Sequence, residues 1–161
     1  MKVAYFFTLI YLLFLVSTIH AQFDDNKWKG ITPLKSIRKD VEKLLGEPIK
    51  KDLYDTPNER IAIWYAKGTC RGKSPDIWDV PKDTVVGFIV SYKKVKALDL
   101  SENISKMFER EPVMEFEKRR FYYRKADSSI EFETEIGSSG SEEIIFIRYA
   151  PTGDSLRCSK R

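Results

Sequence analysis

Asp76, Asp79 and Asp83 fall in one irregular stretch, GTCRGKSPDIWDVPKD, and carboxylates gathered in a loop are oxygen donors of the kind that hold calcium. Their spacing is unlike the alternating acidic loop of a calcium site, and no Gly stands at the turn, so ordinary turn and cap roles fit them better. As a pair, Asp76 and Asp79 suit a secreted hydrolase of the glycosidase kind, which needs two carboxyl groups about 5 to 10 Å apart. Glu131, Glu133 and Glu135 form a second acidic set. They alternate along a stretch that faces Arg120 and Arg124, which reads as a paired solvent face. The only histidine, His20, lies in the leader described below, so the remaining chain lacks the commonest general base, the Ser-His and Cys-His pairs and imidazole metal ligands. No catalytic residue, metal set or cofactor is assigned.

The two cysteines, Cys70 and Cys158, read first as a disulfide in an exported chain, with two free thiols as the alternative. Such a bridge closes a loop of about 90 residues, which chain entropy values at roughly 4 to 5 kcal/mol. Among the tryptophans, Trp28 and Trp78 lie in irregular segments and are candidate contact residues, whereas Trp64 lies in a strand pattern and reads as core. Arg120, Tyr122 and Arg124, from a basic and aromatic cluster running from Lys118 to Lys125, complete the candidate binding surface. Acidic strands beside that cluster neutralise its field, which argues against nucleic acid.

The chain begins MKVAYFFTLIYLLFLVSTIHA, with Lys2, an apolar run and a short polar stretch ending in Ala21, the layout of a secretory signal peptide. The run is shorter than the ~20 apolar residues a membrane-spanning helix needs, and polar Gln22, Asp24 and Asp25 follow it. Cleavage after Ala21 is the first reading and an uncleaved N-terminal anchor the second. Removing residues 1–21 takes away Lys2 alone among the charged side chains and leaves 27 Lys and Arg against 24 Asp and Glu. That balance is too mild for a nucleic-acid binder. The expectation is a 1–21 signal peptide followed by one domain, 22–161, with no stable membrane span after cleavage.

The elements that must position these residues follow from periodicity. Ser36 is placed to cap a helix whose apolar face is Ile37, Val41, Leu44 and Leu45, with Gly46 and Pro48 ending it. The period then shortens to two. Residues 60–66 read as a strand paired with one near 50–54 across TPNE, and 84–92 as a central strand buried on both faces. A second helix is predicted from about Asp99 or Ser101 to Glu109, with Pro112 beyond it. Strands follow at 118–125, 129–136 and 142–149. If Asp127-Ser128 makes the turn of the first pair, Arg124 faces Glu131, Tyr122 faces Glu133 and Arg120 faces Glu135, with Tyr123 and Phe132 on the other side. The order helix then strands, twice, predicts an α+β fold: an antiparallel sheet with helices packed on one face, arranged as a tandem αβββ repeat.

GITPLKSIRKDVEKLLGEP, residues 30–48, resembles the helix-start segment of the BamE (SmpA/OmlA) family of small bacterial envelope proteins at Gly30, Ser36, Val41, Leu44, Leu45, Gly46 and Pro48. The resemblance implies a helices-on-sheet scaffold, an architecture shared with the beta-lactamase inhibitory protein, which is a tandem repeat. The chain departs from the family in having no Cys after the leader to carry a lipid and in its second block of helix and strands. What it implies is a binding module located in the periplasm or extracellular, with another envelope or secreted protein as partner.

Overall fold

The structure is a computed structural model that describes residues 26–70, 78–97, 106–113, 119–152 and 156–158. The leader at 1–21 and Asp76 lie outside these residues. Among the described residues, helix α1 (Arg38–Leu45) precedes seven strands: β1 (Leu53–Asp55), β2 (Glu59–Tyr65), β3 (Val85–Ala97), β4 (Phe108–Val113), β5 (Arg120–Lys125), β6 (Ile130–Ile136) and β7 (Glu142–Tyr149). All pairings are antiparallel and form a single sheet in the order β1-β2-β3-β7-β6-β5-β4.

Alternation along the strands sorts the side chains into two faces. Across the sheet, Tyr54, Ile61, Val90, Ile147, Phe132 and Tyr123 stand opposite one another in one row, and Ile63, Phe88, Tyr149 and Ile130 in the next. Every member of both rows is at most 2% exposed. Aromatic stacking fixes their spacing: Phe88 lies on Tyr149 with ring centroids 4.6 Å apart, and Tyr123 on Phe132 at 4.5 Å. Trp28, Ile31 and Val41 close over this inner face and join the same core.

The fold is therefore β-rich, and the α+β expectation of helices layered on the sheet is overturned. Helix α1 has eight residues and only Val41 fully buried; Ile37 and Leu44, expected on its buried face, are exposed. So short a helix cannot cover a sheet of seven strands, and coil carrying Trp28 and Ile31 does much of the covering. The cap differs as well. Ile37 precedes the helix and its N–H is taken by the Asp40 carboxylate, while the Ser36 hydroxyl accepts from the amide of Thr32. Gly46, at φ 82°, ends the helix as its position predicts. Arg38 reaches Asp52 at 2.8 Å and Asp83 at 3.1 Å and lies over the Tyr65 ring, fastening α1 to the sheet.

The second helix of the supposed repeat, expected from about Asp99 or Ser101 to Glu109, falls up to residue 105 outside the described ones; Lys106 and Met107 are helical as expected, and its last two positions, Phe108 and Glu109, belong to β4 instead. From Phe108 the alternation has period two, with Phe108 buried against Phe132 and Glu109 opposite Arg124. Pro112, expected beyond a helix, sits in the edge strand, where a missing N–H costs no ladder bond. Strand β3 is central, but only its inner side is sealed: Ile89 and Ser91 on the outer side are partly exposed. The hairpins lie where the turn residues place them. β1 pairs with β2 across Thr56–Asn58, and β5 pairs with β6 with Arg120 opposite Glu135, Tyr122 opposite Glu133 and Arg124 opposite Glu131, the register read from the sequence.

Candidate functional site

The inner face is consumed by the core, so the outer face is the one on which this sheet can present chemistry. Its rows are mixed. Ala62, Ile89, Arg148, Glu131, Arg124 and Glu109 stand opposite one another, as do Ser91, Phe146, Glu133 and Tyr122. Arg148 and Arg124 both bind Glu131, at 3.0 and 3.4 Å. Arg120 is shared between Glu133 and Glu135, each at 3.3 Å. Burial and a hydrogen bond to Glu131 push the Tyr122 hydroxyl up from its ordinary pKa, so it stays protonated through the physiological range.

One end of this face is built into a wall by the disulfide Cys70–Cys158, whose partners are 88 residues apart in sequence. It joins the chain leaving β2 to the C-terminal segment. The two segments are further stitched by a backbone bridge between Trp78 and Arg157, by the Asp79 amide donating to the Leu156 carbonyl at 2.7 Å, and by the Cys70 amide donating to the Asp79 carboxylate at 3.2 Å. Trp78 is only 6% exposed, packed with Ala66, Val80 and Val86 in a small second core, and the Arg157 guanidinium lies over its ring.

Between this wall and the turn at Asp127-Ser128 runs an open groove of about 880 Å³. Trp64, Ile89, Phe146 and Tyr122 give it apolar surface; Arg148, Glu131 and Arg157 give it charge. Trp64 is 48% exposed, an uncommon state for the residue with most to gain from burial. Gly87 stands opposite it on β3, and a β-carbon there would come within 2.9 Å of the Tyr149 carbonyl, so the close approach of strands beneath the groove requires glycine at this position.

The residues singled out from the sequence separate accordingly. Tyr122 and Trp78 line the groove and Arg124 flanks it through Glu131, while Arg120 lies further along the outer face. Trp28, expected as a surface contact, is 3% exposed in the core beside Phe88, because the short segment 26–31 folds back over the inner face. Trp64, expected in the core, occupies the outer face by alternation between buried Ile63 and half-buried Tyr65. The signal was present, since Ile61 and Ile63 already fix the inner parity of that strand. The chain placed by sequence at Cys70 and Cys158 is joined there as a disulfide.

Acidic chemistry gains no support from this geometry. Asp83 is paired with Arg38, Asp79 accepts from the Cys70 amide, and Glu131, Glu133 and Glu135 are held by arginines. Among the described residues no cluster of three His, Cys, Asp or Glu side chains is arranged to hold a metal ion, and no helix is long and apolar enough to cross a membrane. Compared with protein-family models, curated proteins and solved structures, the chain matches none.

Proposed function

We propose that the protein is an exported binding module that takes part of another envelope or secreted protein into the outer-face groove and performs no catalysis of its own. The observation that carries this reading is Trp64: a half-exposed indole among aromatic, aliphatic and guanidinium side chains has the composition of an interface anchor, where Trp, Tyr and Arg dominate binding energy. A disulfide suits an oxidising compartment, and the leader pattern at 1–21 supports export to the periplasm or beyond. The BamE-like stretch at 30–48 supports a scaffold that contacts partners in a bacterial envelope.

The test is capture in the cell that makes the protein, comparing the wild type with W64A. A partner recovered reproducibly with the wild type and lost with W64A, at equal folding, supports the groove. Recovery of the same partner by both proteins contradicts it.

A further inference from the structure

The side chains of the groove settle their charges among themselves. Arg148 and Arg157 are matched by Glu131 and Asp127, so the lining carries no net charge. Glu131 accepts from Arg148 at 3.0 Å, from Tyr122 and from Arg124, which stands opposite Glu109 as well. The Asp127 carboxylate takes the amide and hydroxyl of Ser129, and the Ala150 carbonyl takes the Asn26 side-chain amide. Charge complementarity therefore asks for an occupant without net charge, and the acceptors along the rim are already engaged.

The donor at the other end is in a different position. Trp64 is 48% exposed, and among the described residues its indole N–H meets no acceptor. The backbone beneath adds nothing: β2, β3, β7, β6 and β5 each have a strand on both sides, so their ladder groups are spent within the sheet and no further strand can be added on this face. The groove thus suits an occupant that lies on aromatic surface, brings an acceptor, and has few backbone N–H groups to strand against it.

A proline-rich chain has those properties. Polyproline II has no internal hydrogen bonds, proline has no N–H, and the carbonyls are left free to accept. Such chains dock on aromatic-lined grooves, where their preformed conformation limits the entropy lost on binding. The length fits as well. From Trp64 on β2 to Tyr122 on β5 is four strand spacings, about 19 Å at ~4.8 Å each, with Ile89 and Phe146 between. About six residues of polyproline II at ~3.1 Å each cover that distance.

Resting on the binding reading above, we infer that the groove takes an uncharged, proline-rich segment of the partner protein in the polyproline II conformation, with its rings on Trp64 and Tyr122 and a backbone carbonyl at the Trp64 indole N–H.

The experiment uses the oxidised protein from the cell that makes it and capped peptides about six residues long. One is proline-rich, one has alanine at every proline, and two are proline-rich with a pair of Glu or a pair of Lys. Affinities come from titration calorimetry, and the Trp64 indole N–H resonance, identified by its absence from W64F, reports contact. The proline-rich peptide is expected to bind about tenfold tighter than the alanine one, to shift that resonance, and to bind alike at low and high salt. W64F, which keeps a ring and loses the donor, is expected to weaken it about fivefold. Equal binding of the proline and alanine peptides, tighter binding of either charged peptide, or tighter binding of chitohexaose than of any peptide overturns the inference. If no peptide binds while capture in the cell still depends on Trp64, the proline-rich inference falls and the groove reading stands; if capture is indifferent to W64A, the groove reading itself falls.

Discussion

Trp64 and Glu142 represent opposite uses of a costly residue. W64A removes a half-exposed side chain and leaves no buried partner unsatisfied, so its cost in denaturant stability is expected at about 1 to 2 kcal/mol from the apolar area it does bury, while loss of an interface anchor of this type costs about 2 kcal/mol or more in binding. Glu142 is buried on the inner face, where its carboxylate accepts from Tyr123 at 2.6 Å, from Thr134 at 2.9 Å and from Arg110. E142A strands those donors, and the expected cost is about 2 to 3 kcal/mol in urea unfolding, held down because Arg110 can still reach water. Burial, then the bond to Glu142, pushes the Tyr123 hydroxyl up to about 12. Because the folded value lies above the unfolded one, this contribution is complete below about pH 10 and is lost as pH rises through about 12. Y123F is expected to flatten that alkaline limb of a stability-against-pH curve. The sequence made the Arg-Glu pairs legible because cross-strand register has period two. It did not make the Glu142 cluster legible, since nothing local distinguishes Glu142 from its solvated neighbour Glu143.

Helix α1 is anchored at few points, and the anchors are testable as a contrasting pair. V41A should cost about 2 kcal/mol, as a buried truncation that leaves a cavity, whereas L44A should change stability by no more than about 0.5 kcal/mol because Leu44 faces solvent. Equal effects would mean that the helix docks on a different face. Helical spacing located this element within a residue of its true start, and Gly46 located its end. Spacing could not tell which apolar side chains the helix would bury, because that depends on how much of the sheet lies beneath. The stretch running into Phe108 is helical at Lys106 and Met107 as expected and departs from that reading at Phe108 for the complementary reason. Ile104, Met107 and Phe108 satisfy a helical stripe, but from Phe108 onward alternation fits as well, and pairing with β5 decides in favour of strand. Strands β5 to β7 were legible nearly to the residue, since each is bounded by turn residues whose backbone conformations are realised, including Ser128 at φ 54° and Gly140 at φ 79°.

At the scale of the molecule, two meanders meet at the β3–β7 pairing, and the disulfide ties the C-terminal segment back to the chain following β2. Replacing both cysteines by serine is expected to lower stability by roughly 4 to 5 kcal/mol through the entropy of the unfolded chain, measurable by denaturant titration of the oxidised and variant proteins. The same change releases the wall that holds Trp78 and Arg157, so ligand binding should weaken beyond what the lost stability explains. The disulfide itself could be read from the even cysteine count together with the leader pattern. The groove it helps to form could not, because it is made where five strands, a turn and two distant segments converge, and no stretch of sequence records that convergence. The measurement that bears most directly on the account places a photocrosslinking aromatic amino acid at Trp64, and separately at Lys39 on the exposed side of α1, in the cell that makes the protein. The account requires one partner protein to be captured from position 64 and not from position 39; capture from position 39 alone would contradict it.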